Sequence, residues 1–341
     1  MPAVPDYDGQ PAADRPAERR RRRIGQSVRI TISLALVVAI VLTVDLGAVG
    51  RLVGAADLSL AALALLAALA DRVVMFGKWY PLIRTQVDVP FFLAARIYYA
   101  STFSAVFLPS MSGDVLRGLA LGRGNGTTAE AAASIVMERL LGMIGGGVMA
   151  LVAIGVAVQN QIDLGVMLPW AAVTIAAPLG LVLAPFVPAA FPGLSKRFRS
   201  LRGLAASRFV SRFGAAYGRY RHYPRMLTVV GLLSVVEQLF PIVVLGILSY
   251  ALGTSITVEM LIVAVPLTLF ASRLPFSVWG LGITEGALVY LLGLFGVPAA
   301  EAVALGLAVR VVDLIALSPG AFLWTDLVRP ARTQSANRSA S

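Results

Sequence analysis

Nine apolar runs, too many for the core of a water-soluble domain of this size, dictate what the chain can become. They cover about 28–44, 57–77, 91–108, 129–158, 168–190, 226–250, 257–273, 284–296 and 301–325. A helix needs about 20 apolar residues to cross a bilayer. Backbone polar groups in lipid must be bonded within the segment, so runs of this kind predict helices. Hydrophobic residues make up 58% of the chain and charged residues 14%. Soluble domains have about 45–50% and about 25%. The chain therefore reads as an all-α polytopic membrane protein, with no room beside its spans for a large soluble catalytic domain.

Charge narrows the function classes. The net charge is +11, and Lys78 and Lys196 are the only lysines among 29 basic residues. The positive charge falls between apolar runs, which is the topological pattern of a membrane protein rather than the footprint of a nucleic-acid binder. Cysteine is absent and His222 is the single histidine, so thiolate sites and histidine-based metal or proton-relay centres are not expected. No cofactor is expected. Residues 1–23 combine Pro, Ala, Asp and Arg with little apolar content, a composition that favours disorder. The run after Arg19 to Arg23 has a long polar leader and no small-residue cleavage site, so it reads as an uncleaved span.

Two of the runs are broken in the same way. FLPSMSGDVLRG (Phe107 to Gly118) leads into a run carrying Glu138 and Arg139. RLPFSVWGLGITEG (Arg273 to Gly286) leads into a run carrying Arg310 and Asp313. Broken helices at matching positions of two halves are a sequence pointer to a transport site. Pro109 and Pro275 stop helices because they lack an N–H. Gly113, Gly280, Gly282 and Gly286 provide hinges, through close backbone approach or positive φ. Gly145 to Gly147 suit close helix packing.

Arginine placement suggests an orientation. Arg19 to Arg23, the pair Lys78 and Arg84, the linker arginines and Arg329, Arg332 and Arg338 mark cytoplasmic ends. About six crossings plus two re-entrant broken hairpins, 91–124 and 257–298, satisfy all of these. The hairpins then enter from opposite faces, an inverted arrangement with both termini cytoplasmic. The units are a tail 1–27, a membrane half 28–193, a basic linker 194–225, a second membrane half 226–327 and a tail 328–341. In the linker, Leu201, Leu204, Phe209, Phe213 and Tyr217 recur at roughly helical spacing among arginines. That predicts a helix lying apolar-face-down on the inner leaflet, against a plain solvated loop.

The order Leu108, Pro109, Gly113, Asp114, Arg117, then Glu138–Arg139, then Leu274, Pro275, Gly280 to Gly286, a Gly296 to Pro298 turn and Arg310 resembles the lysylphosphatidylglycerol synthase transmembrane-region (flippase-like) family. The resemblance runs over roughly 28–327. It implies a polytopic inner-membrane protein; in the best-understood relatives the membrane region moves an aminoacylated phosphatidylglycerol between leaflets. Relatives also carry a cytoplasmic synthase domain. Here the chain stops at Ser341, so a stand-alone member without that domain is expected, and lipid aminoacylation is not.

Ionisable residues inside spans are functional candidates because hydrocarbon penalises them by several kcal/mol. Asp114, Arg117, Glu138, Arg139, Glu285, Arg310 and Asp313 form the candidate headgroup-binding set. Arg139 and Arg310 follow the two breaks equivalently, and a guanidinium fork fits a phosphodiester; structural pairing is the alternative. Asp114 either caps the returning half-helix or contacts lipid. Glu285 either complements a helix N-terminus or binds a headgroup amine. Glu138 and Arg139 are adjacent, so each needs another partner. Asp71 and Arg72 read as lying near a cytoplasmic end, free to snorkel or pair elsewhere; Arg96, Glu237 and Arg273 complete the intramembrane charges.

The expected function is a lipid translocase acting on an anionic or aminoacylated phospholipid or a polyprenyl-linked lipid. No GxxxxGK[ST] loop is present, so ATP hydrolysis is not expected. The alternatives are a membrane-embedded accessory or transferase of cell-envelope lipid synthesis, and a scaffold for a separate cytoplasmic synthase.

Overall fold

The computed structural model describes residues 44–106, 112–122, 127–162, 168–186, 208–272 and 281–328, with Val38 and Leu42. Pro109, Arg123, Arg273, Pro275, Gly280, Leu201 and Leu204 lie outside the described residues, as do both tails. Every regular element among the described residues is helical. The helices are α1 (Leu46–Gly54), α2 (Leu58–Arg84), α3 (Phe91–Ser104), α4 (Ser112–Gly122), α5 (Thr128–Gln159) and α6 (Leu168–Leu183). After the linker come α7 (Arg208–Arg219), α8 (Pro224–Glu237), α9 (Leu239–Ala251), α10 (Val258–Ser272), α11 (Ile283–Gly293), α12 (Ala299–Leu317) and α13 (Pro319–Val328).

Local chemistry sets several boundaries. Asp57 starts α2 by accepting from the Ser59 and Leu60 N–H groups, and these bonds with the Ser59 hydroxyl hold its carboxyl below the usual range. Pro224 opens α8 at the position where a missing N–H costs nothing. One turn residue, Gln238, separates α8 from α9. Pro241 has no N–H to offer the Glu237 carbonyl, so the helix must break there. Gly282 starts α11 at φ +81°, a backbone that only glycine adopts freely.

Three helical stretches are long and apolar enough to cross a membrane: 58–84, 128–159 and 224–251. Shorter apolar helices cover 171–186, 258–269 and 283–293. Large apolar side chains such as Leu58, Leu66, Leu232 and Phe322 are more than 60% exposed. Exposed apolar surface on this scale belongs in lipid, because soluble monomers leave only small patches uncovered. The chain is an all-α membrane protein.

The largest apolar cluster joins α2 and α9 to α10, α11 and α12 through Ala64, Leu245, Leu261, Leu288, Leu292 and Leu305. A second cluster packs α7 and α8 on α2 and α5, and a third packs α3 on α2. The broken segments supply helix pairs that touch, α3 with α4 and α10 with α11. Gly113 permits the first pair: a Cβ there would lie 2.6 Å from the Ser101 carbonyl oxygen. Gly145 lets α5 approach α8 in the same manner, 2.5 Å from the Ser234 carbonyl oxygen, and Gly147 is pressed by Ile175. Gly286 does not fit the hinge expectation. It lies inside α11, outside the positive-φ glycines, with open space where a Cβ would stand.

Two expectations change on the charged residues. Lys78 is not part of a loop. It is buried inside α2, which continues to Arg84, and it pairs with Glu237. The apolar run seemed to end at Gly77 because one charge interrupted it, and that charge is neutralised internally. The linker helix exists as α7, and part of its apolar face is turned to the protein: Phe213, Ala216 and Tyr217, with Tyr220 just beyond the helix, pack against Leu82 and Met137, while Phe209 is 48% exposed. The Tyr217 hydroxyl donates to the Leu181 carbonyl at 2.8 Å, and burial pushes this phenol up to about 12, which keeps it a donor. Arg212 donates two hydrogen bonds to Glu130 Oε1, from Nη2 at 2.8 Å and Nε at 3.2 Å, and Arg219 donates to Gln86.

Candidate functional site

The helices carry their charges to a few interior points. In the first half, Asp114 is the third residue of α4 and faces α5. Arg139 donates to Asp114 Oδ2 from Nε at 2.8 Å, with Nη2 at 2.7 Å. Arg117, one turn along α4, donates to Asp114 Oδ1 and to Glu138 Oε2, both at 2.9 Å. Its guanidinium carbon lies 4.5 Å from the Tyr98 ring centroid and 5.0 Å from that of Trp79. These rings add cation–π attraction to the two ion pairs. Glu138 and Arg139 thus find separate partners, as adjacency on a helix requires. Two carboxylates face two guanidiniums, and the cluster is neutral.

The second half repeats the central bond. Glu285 is the third residue of α11 and Arg310 of α12 pairs with it. The other Glu285 oxygen accepts from the Gly282 N–H at 2.8 Å, so this carboxylate caps its helix as well. The separation between carboxylate and arginine is 25 residues in both halves. Both arginines stand eleven residues after the start of their helix, Thr128 for Arg139 and Ala299 for Arg310. At 1.5 Å per residue that is about 16 Å in each case.

Asp313 does not pair with Arg310, although three residues separate them. It accepts from Arg72 of α2 at 3.2 Å. Asp71 Oδ2 lies 3.5 Å from the same guanidinium nitrogen. Residue 71 is the midpoint of α2, about 20 Å from either end at 1.5 Å per residue. The terminal placement expected for Asp71 and Arg72 is therefore replaced by a central one. They join the first membrane half to the last helix pair instead of snorkelling. Glu237, at the α8–α9 break, takes Lys78.

Sequence reasoning did not find the Arg72–Asp313 and Lys78–Glu237 ties or the Trp79–Arg117–Tyr98 stack. The repeated 25-residue spacing was readable in the chain, but proline spacing hides it. Pro109 precedes Arg139 by 30 residues and Pro275 precedes Arg310 by 35. The five-residue difference falls between proline and carboxylate.

Residues 26–320 match the sequence model of the lysylphosphatidylglycerol synthase transmembrane region. The chain belongs to this family. No curated protein and no solved structure matches it. Membership makes this a lipid-related membrane protein and agrees with the motif order from Leu108 to Arg310.

Proposed function

We propose that the protein is a lipid translocase that passes a charged headgroup between leaflets of the plasma membrane while the tails stay in lipid. The observation that carries this reading is the repeated pair, Asp114–Arg139 and Glu285–Arg310, with the same 25-residue spacing and the same position along the arginine's helix. A guanidinium inside a bundle suits a phosphodiester. Both arginines already hold carboxylates, so binding is an exchange of partners. A phosphate takes the arginine, and a carboxylate released into a low-dielectric site needs a cation. A headgroup bearing a phosphodiester and an amine supplies both charges, which favours aminoacylated or zwitterionic phospholipids. In this reading Arg117, fixed by Glu138, holds Asp114 in position, and Asp313, tied to Arg72, stands outside the exchanging pairs.

The accompanying topology has about six crossings and two re-entrant hairpins entering from opposite faces, with both termini and the basic linker cytoplasmic. The contacts of α3 with α4 and of α10 with α11 support hairpins. Single cysteines introduced at positions 123 and 297 should react from opposite sides of the membrane; labelling from one side overturns the arrangement.

Function is tested in liposomes containing fluorescent phosphatidylglycerol or phosphatidylethanolamine with an outer-leaflet quencher. Wild type should expose inner-leaflet probe to the quencher. R139A and R310A should slow this about tenfold or more, the effect of losing about 1.4 kcal/mol. Folded wild type that leaves the probe protected removes the translocase reading and leaves the accessory-enzyme and scaffold alternatives.

A further inference from the structure

The midpoint cluster is not balanced. Asp71, Glu237 and Asp313 supply three carboxylates; Arg72 and Lys78 supply two cations. The other two interior clusters balance by themselves, so among the described residues this one carries a surplus negative charge. A lone carboxylate in such surroundings is expensive, and the usual response is to bind a proton.

Geometry identifies which carboxylate is surplus. Glu237 is in direct contact with Lys78. Asp313 accepts an Arg72 N–H at 3.2 Å. Asp71 has only the 3.5 Å approach of its Oδ2 to that nitrogen, with no hydrogen bond. Its Oδ1 is buried with no hydrogen-bond partner, and the residue is 7% exposed.

Every described helix packed on α2 leaves the tally unchanged. From α12, Asp313 is present and Arg310 is bonded to Glu285. From α8 comes Glu237, and from α5 Glu138, already held by Arg117. From α3 come Tyr98, stacked on Arg117, the half-buried Tyr99, and Arg96, which is exposed. In α9 the one titratable group is Tyr250, 72% exposed at the far end.

We infer that Asp71 is a proton-binding site whose occupancy sets the Arg72–Asp313 tie between the two membrane halves. A proton from water adds to Oδ1 and returns to water; no other covalent bond changes. With the proton bound, Asp71 is neutral and Arg72 belongs to Asp313, as observed. With the proton gone, Asp71 competes for Arg72 and draws it from Asp313, which loosens α2 from α12. The site gives lipid movement a means of coupling to a proton gradient, a role that rests on the translocase reading; the proton site itself does not.

The test is infrared difference spectroscopy of the full chain in phosphatidylglycerol nanodiscs, titrated with acid and base. Wild type should show the carbonyl band of a buried carboxylic acid that appears and vanishes with pH. D71N should lack it and keep its thermal midpoint within about 2 °C, because an amide is isosteric with the neutral acid. D313N should also lack it, although Asp71 is still present, because two carboxylates then balance two cations. A band that survives in D71N or in D313N overturns the proposal, as does a D71N protein that melts far below wild type. If the bands behave as stated and no variant moves lipid in liposomes, the proton site stands and the translocase reading falls.

Discussion

The two halves make one bond in two settings. Arg310 and Glu285 are enclosed by the largest apolar cluster, with the arginine side chain 13% exposed. Arg139 holds Asp114 from a side chain that is 59% exposed. Behind Asp114 stands a second cation, the buried Arg117, fixed by Glu138 and two aromatic rings. A duplicated motif therefore does not mean duplicated roles. In the first half the buried cation does the structural work and leaves the outer arginine accessible. In the second half one arginine serves both purposes and is shielded.

The sharpest way to break this contrast is R117A. It leaves Asp114 and Glu138 facing each other without their shared buried cation, which should cost about 3–5 kcal/mol of stability. Thermal melting in nanodiscs would show it, and a shift as small as that of an exposed arginine would refute the division of labour. R310A should come next, at about 3 kcal/mol, since Glu285 loses a buried partner but keeps the Gly282 N–H. Gly282→Ala, at φ +81°, should cost about 1–2 kcal/mol, whereas Gly286→Ala should be neutral or slightly stabilising. R139A should be the mildest for stability, under about 1 kcal/mol, because its side chain is 59% exposed and Asp114 keeps Arg117. Under the proposed function its large effect should appear in the liposome assay. If R139A and R310A melt alike, the halves are equivalent and the asymmetry carries no function.

Much of the fold was legible because bilayer physics leaves helices as the default and the apolar runs are long. The half-helices α4 and α11, and the carboxylate at the head of each, follow from the Leu-Pro and glycine interruptions. What the sequence concealed was pairing across distance. Lys78 ended an apparent run, so α2 was read seven residues short and Asp71 seemed terminal. Its partner Glu237 stands 159 residues away, and Asp313 stands 241 from Arg72. No local periodicity encodes such matches. The amphipathic spacing of α7 was also correct, yet periodicity reports an apolar face without saying whether lipid or protein covers it. Here Leu82 and Met137 cover Phe213 and Tyr217, while Phe209 stays exposed.

That docking of α7 changes how much of its charge is free. Arg212 is neutralised by Glu130, and Arg219 is turned onto Gln86. A tally of arginines therefore overstates the positive potential this segment presents to anionic headgroups, each free basic side chain being worth about 1 kcal/mol near such a surface. Its attraction to the leaflet should fade less steeply with ionic strength than its nominal charge implies.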